Sequence, residues 1–267
     1  MKKYLSFFRI RFNLLLQYRG AAYAGMVTQF FWGIMTLLMF HAFYEADPNA
    51  FPMTFRQLSA YIWIQQSTIA LLMVWFLEND IFEEITSGGV AYSLVRPLDL
   101  YTMWFTKNAA TRLAKATLRF LPILLIASLL PDPYRMSLPA SGLSFICFIG
   151  AMILALIIVV AYCMLIYIAT FHTMNPMGIR LVATSMTEFF SGAIIPLAFL
   201  PTYLRTLLEW SPFGSMVNFP LQVYNGNIQG MALLQGLLLQ LFWAVVLVWI
   251  GKWWMQQSLK KVIVQGG

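Results

Sequence analysis

ITSGGVAYSLVRPLDLY, residues Ile85 to Tyr101, lies between two strongly apolar segments and is too polar to cross a bilayer itself. Its local grammar is that of a folded connector. Ile81 to Thr86 suits a helix leaving the preceding apolar segment. Gly88-Gly89 allows a reversal, because glycine takes positive φ without steric cost. VAYSLV is a short apolar-rich run, and Arg96-Pro97 stops it, since proline disfavours a helical conformation in the residue before it. LDLYTMWF then leads back toward apolar sequence. The acids Glu78, Asp80, Glu83 and Glu84 just ahead are unusual for a cytoplasmic loop. The segment reads as a compact turn-helix-turn joining two membrane spans.

The surrounding chain supplies the spans. Of 267 residues, 60% are hydrophobic and 10% charged, with mean hydropathy +0.73. A soluble domain needs roughly a quarter charged residues to cover its surface, so this surface faces lipid. About 20 apolar helical residues cross a bilayer core. The expected spans are 21–44, 55–77, 109–130, 143–170, 181–200 and 231–250, an all-α integral membrane fold forming one transmembrane domain over 1–267. Loops are expected at 171–180 and around 131–141, and Pro122 should kink the third span.

Charge orients the six spans. Lys2, Lys3, Arg9, Arg11, Arg19, Arg96, Lys107, Arg112, Lys115, Arg119, Arg180, Lys252, Lys260 and Lys261 fall on the terminal side; Arg56, Arg135 and Arg205 fall on the other. By the positive-inside rule, both termini, the 79–107 segment and the 171–180 loop are cytoplasmic. The same asymmetry explains the net charge of +7 without a nucleic-acid partner. Residues 1–19 place Tyr4, Leu5, Phe8, Phe12, Leu15 and Leu16 at roughly helical spacing among Lys and Arg, which suits an amphipathic helix lying in the interface. The arginines also interrupt any signal-peptide-like apolar run.

Several chemistries are missing from the sequence. It contains no G-x-x-x-x-G-K-[ST] phosphate loop and no G-x-S-x-G elbow. His41 and His172 belong to no cluster of metal ligands, and Cys147 and Cys163 read as small apolar residues, so no metal site is expected. Glu188 is the one acid well inside a span, about 10 Å in by helical rise. It either lines a substrate path or pairs with Arg112, Lys115 or Arg119. Gln65 and Gln66 line the same path or bond between helices.

Together these features resemble the permease subunits of ABC-2-type ABC transporters, the exporter class that includes drug, polysaccharide and viologen exporters. The resemblance rests on the basic helix before the first span, on EEITSGGVAYSLVRPLDLY after the second, and on SGAIIPLAFLPTYLRTLLEWSPF with a later Asn-Gly near the last. Within the second stretch, Ile85, Gly88 or Gly89, Leu94, Arg96, Pro97 and Leu98 match a pattern of the small-permease branch. The resemblance implies a coupling helix at about 80–97 seated on a separate ATPase, with Asp80, Glu83, Glu84, Gly88, Gly89, Leu94, Arg96 and Pro97 in the contact. It implies an extracellular re-entrant hairpin at 201–230 with Trp210, Pro212 and Phe213 at its turn. It also implies two ATPase subunits that hold ATP and Mg, none bound by this chain, and a second permease chain, a heterodimer slightly preferred over a homodimer. The bacterial inner membrane is the implied location. A stand-alone secondary transporter or a scaffold is the alternative; the first should show repeated halves, which residues 21–130 and 143–250 do not.

Orientation is directly testable. A Ser87→Cys variant should react with a membrane-impermeant maleimide, above the background of the two native cysteines, only in inverted vesicles or after permeabilisation. Labelling of intact cells would reverse the assignment.

Overall fold

The computed structural model describes residues 2–260; Lys261, counted above among the basic residues, lies outside them. Among the described residues the secondary structure is helical throughout. In chain order the helices are α1 (Lys2–Leu16), α2 (Arg19–Ala46), α3 (Phe55–Leu72), α4 (Asn79–Thr86), α5 (Val90–Leu94), α6 (Leu100–Ser128), α7 (Gly142–Thr173), α8 (Pro176–Phe190), α9 (Thr202–Trp210), α10 (Pro212–Met216), α11 (Asn218–Tyr224) and α12 (Gly230–Leu259). Three are long and apolar enough by themselves to cross a membrane: 22–46 within α2, α7 and α12. The all-α membrane class follows from these; six crossings do not follow from hydropathy alone.

Helix α3 is the centre of the molecule. It starts at a capping box, with Thr54 Oγ1 accepting from the Gln57 amide and the Gln57 side chain accepting from the Thr54 amide. Every residue but Arg56, Gln57 and Leu71 is then buried, and α2, α6, α7 and α11 pack around it. Helices α7 and α12 run against each other on one side. A second core closes the end of α3 near its cap, where Leu37, Phe40, Phe55, Leu58, Trp63 and Ile123 are buried together.

Helix α3 stops at Leu72, earlier than the expected span end at 77. A helix C-terminus leaves carbonyls without partners, and here one side chain from α6 takes them. Arg112, fully buried, donates to the carbonyls of Ala70 (3.3 Å), Leu71 (3.1 Å), Met73 (2.7 Å) and Phe76 (3.1 Å). Its Nε donates to Asn108 Oδ1 (2.7 Å) and its other terminal nitrogen to Cys163 Sγ (3.2 Å). The planar guanidinium suits such a fan of acceptors. Cys163, expected as a purely apolar residue, is therefore also an acceptor. Tyr167 completes the cluster: its hydroxyl accepts from Asn108 Nδ2 (3.0 Å) and from the Glu78 amide (2.8 Å).

Helix α6 is longer than the expected 109–130 span. Asp99 caps it by accepting from the Thr102 amide (2.8 Å), and the helix runs on through Pro122. Helix α1 lies along α6. Its inner face carries Tyr4, Phe8, Phe12, Leu15 and Leu16 as expected, but Leu5 points outward and Arg11 inward. Arg11 pairs with the buried Glu78 (2.9 Å), and the Tyr4 hydroxyl accepts from the Asp99 amide (2.8 Å).

The fifth expected span, 181–200, is corrected most. Helix α7 continues to Thr173, and the 171–180 loop shrinks to a turn at Met174–Asn175, with Met174 at φ 51°. Asn175 then caps α8 through the Gly178 amide, with Pro176 in the first turn. Helix α8 ends at Phe190, because Gly192 turns the chain at φ 83° and Pro196 has no amide to continue a helix. Its 15 residues reach about 22 Å. Residues 191–200 continue as irregular chain with a 3-10 turn.

Arg112→Met removes every donor from this fan. The variant should lose about 3 kcal/mol or more, since buried carbonyls are left unpaired, and melt roughly 5 °C or more lower. Arg112→Lys, a point charge without the fork, should recover little of it. Leu121→Ala, on the exposed face of the same helix, is the control. Thermal melting in detergent or nanodiscs is the measurement.

Candidate functional site: the α4–α5 element and the cleft beside Glu188

The connector after α3 folds into two short helices. Helix α4 buries Ile81, Phe82 and Ile85 and leaves Glu83 exposed. Gly88, at φ 74°, makes the reversal. Gly89 opens α5, its amide donating to Ser87 Oγ (3.3 Å). Glu84 Oε2 accepts from Ser93 Oγ (3.2 Å), so the two helices are tied side by side. Arg96 and Pro97 lie exposed beyond the end of α5.

Three other helices hold α4. Asp80 forms a close ion pair with Lys107 of α6. Arg180 of α8 donates to Asn79 Oδ1 (2.9 Å) and stacks over the Phe82 ring at 5.2 Å. The same ring meets Tyr167 of α7 edge-on at 5.0 Å. Tyr167 also belongs to the Arg112 cluster, so the hinge at 73–78 and the element beyond it share one anchor. The tip is apolar and open: Tyr92 is 80% exposed and Val95 82%, with Leu94 beside them. Sequence reasoning singled out Leu94 but missed Tyr92 and Val95. Their signal was present, two apolar residues at i and i+3 between a glycine pair and Arg-Pro.

Glu188, Gln65 and Gln66 do come together. They line a cleft of about 600 Å³ between α2, α3, α8 and the irregular stretch after α8. Gln65 Nε2 donates to the Ala193 carbonyl (2.5 Å), so it also bridges elements. Ser67 and Thr68 bond only to carbonyls of their own helix. The ion pair considered for Glu188 is not formed. Arg112 is engaged with carbonyls, Lys115 lies over the Phe76 ring at 5.0 Å, and the Arg119 guanidinium packs against Gly25. Gln29, Trp32 and Trp75 also face this cleft. They were not legible as partners, because α2 and the hinge approach α8 only in three dimensions.

Residues 201–230 fold as α9, α10 and α11, with α11 entirely buried. Ser211 separates α9 from α10, so Trp210, Pro212 and Phe213 do sit at one bend. Trp243 Nε1 donates to the Trp210 carbonyl (2.9 Å), about 20 Å along α12 from its start. Phe213 packs against Tyr162 of α7 and Phe190 at the end of α8. Gln240, buried, donates to the carbonyls of Ser215 and Ala151. The bend thus meets α7 and α12 well inside their lengths and caps the short α8.

Comparison with known proteins fits this arrangement. Residues 30–266 match the model of the ABC-2 family transporter proteins. The chain belongs to the ABC-2 family. Comparison with curated proteins finds no match. As a member of this transporter family, the chain is a multi-pass membrane protein, and its family and apolar helices point to a permease, not to a soluble enzyme.

The anchor on α4 is testable. Asp80→Lys should speed amide hydrogen exchange across 79–96, and adding Lys107→Asp should restore much of the protection. Exchange that is unchanged in the single variant would show that the pair does not hold the element.

Proposed function

We propose that this ABC-2 family member is the transmembrane subunit of an ATP-driven exporter. The observation that carries the proposal is the α4–α5 element: a rigidly anchored helix pair with an apolar tip, in a transporter-family chain without a phosphate loop. A separate ATPase, two copies per complex, holds ATP and Mg. Its closure presses on α5 near Tyr92, Leu94 and Val95, with Glu83, Glu84 and Arg96 around the contact. The push travels through Asp80–Lys107 to α6, through Arg180 to α8 and through Phe82–Tyr167 to α7.

Six crossings fit this assembly. α3 is sheltered by its neighbours, which makes its polar residues tolerable in a membrane. The cations Lys107 and Arg112 on α6 are buried in protein, not in lipid. The fifth crossing is made in two pieces, α8 and then 191–200, with the α9–α11 hairpin filling the outer half as a re-entrant cap. α1 lies in the cytoplasmic interface. Both termini are cytoplasmic by the charge distribution, and the membrane is the bacterial inner membrane that the family resemblance implies. A second permease chain completes the pathway, with a heterodimer favoured. The cleft beside Glu188 belongs to that pathway, and its cargo is a hydrophobic or cationic drug, a peptide or a lipid-like molecule.

Affinity purification from native membranes in mild detergent tests the assembly. A stoichiometric Walker-motif ATPase should co-elute, and replacing Glu84 and Arg96 together should reduce it at least tenfold. A second small permease in the same peak would fix the heterodimer. A chain that elutes without an ATPase across several detergents would favour the secondary-transporter or scaffold reading.

A further inference from the structure

The cleft beside Glu188 has a chemical character that narrows its ligand. Glu188 contributes a carboxylate that has no ion pair or hydrogen bond among the described residues. In a membrane-facing cleft an uncompensated carboxylate is costly, and Arg112 and Lys115, considered from sequence as its partners, are engaged elsewhere. The two amides on the opposite wall add to this. Gln29 and Gln66 each keep a side-chain oxygen buried with no hydrogen-bond partner, and Gln66 is 5% exposed. Both of these unpaired amide atoms are acceptors. A buried acceptor without a donor is unfavourable, and both side chains line the cleft.

The remaining walls are apolar and polarizable. Trp32 and Trp75 line the cleft, with Met35 among the methionines beside them. Indole faces attract cations, and methionine adapts to irregular apolar shapes. A volume of about 600 Å³ lies within the usual range for a drug-sized ligand.

We propose that this cleft binds a monovalent amphipathic organic cation whose charged nitrogen carries at least one N–H. One carboxylate sets the single charge. The acceptors of Gln29 and Gln66 require the N–H, and the indoles and methionines hold a flat apolar body. The inference rests on the exporter reading for the ligand's fate, but binding alone can be measured without it.

Three probes sharing one fluorophore separate these requirements: dansylcadaverine, its N-acetyl derivative and its trimethylammonium derivative. Binding is read by dansyl emission, with the full-length protein in zwitterionic-lipid nanodiscs, so that lipid charge does not concentrate the cations. Dansylcadaverine should bind saturably and at least tenfold more tightly than the neutral acetyl derivative. The trimethylammonium derivative should fall between them. Glu188→Gln should abolish the preference for charge while leaving neutral binding intact. Gln66→Leu should weaken dansylcadaverine selectively and bring it to the level of the trimethylammonium probe. Equal binding of charged and neutral probes, or no saturable binding of any, would overturn the proposal; these comparisons use the wild-type protein and need no variant to fold. If the ATPase co-purifies but the probes bind equally, the substrate class is wrong and the exporter reading stands. If the cation binds selectively and no ATPase accompanies the chain, the cleft stands and the exporter reading fails.

Discussion

One buried guanidinium organises this molecule. Burying an arginine costs several kcal/mol, and the cost is recovered only when its donors are all used. Arg112 uses them on four carbonyls, an amide oxygen and a thiol. Those carbonyls belong to the end of α3 and the turn after it, where a helix carries partial negative charge. The cation therefore stops a helix, stabilises an unwound stretch inside the protein and fixes where α4 begins. Asn108 and Tyr167 extend the same network to the Glu78 amide, and Glu78 extends it to Arg11 on α1. The central helix, the connector after it and the N-terminal helix all depend on this one residue.

The fifth segment shows a different economy. Asn175 and Gly192 fix the two ends of α8, and the bend at Trp210–Phe213 packs against its C-terminal end through Phe190. Tyr61 of α3 ties this together, its hydroxyl donating to the Gly192 carbonyl (3.1 Å). A side chain on residue 192 would meet that hydroxyl and Asn218 even if it tolerated the positive φ. The short helix, the glycine turn and the buried α11 form one packed unit.

Legibility in the sequence followed the range of the cause. Gly88-Gly89 and Arg96-Pro97 act within a few residues, and the reversal and the stop they make are legible; that the connector forms two short helices after an unwound stretch is not. The long apolar runs of α7 and α12 were equally plain, because hydropathy sums over neighbours. From sequence Arg112 reads as an orienting charge or a partner for Glu188; its actual role is hidden because the carbonyls it satisfies lie about forty residues upstream. The end of α8 at Phe190 is only partly legible: residues 191–200 are apolar enough to suggest a continuing helix, Pro196 argues against it locally, and the turn at Gly192, packed against Tyr61 and Asn218, comes from the fold. Glu188 was identified from its position alone, but its lack of a cation and its neighbours Gln29, Trp32 and Trp75 come from tertiary structure. For the apolar tip, the residues were in plain view; without the fold, Tyr92 and Val95 could not be told from core positions.

The contacts of α1 carry a consequence for biosynthesis. Arg11 meets Glu78 across 67 residues of chain, and Tyr4 meets Asp99 across 95. The first helix to leave the ribosome thus waits for α6, the helix it packs along, until α2 to α5 have been synthesised. In the interfacial placement proposed for α1, its amphipathic surface would give it somewhere to wait. The bilayer surface would then hold α1 in the plane where α6 arrives, turning a long-range search in three dimensions into a short one in two.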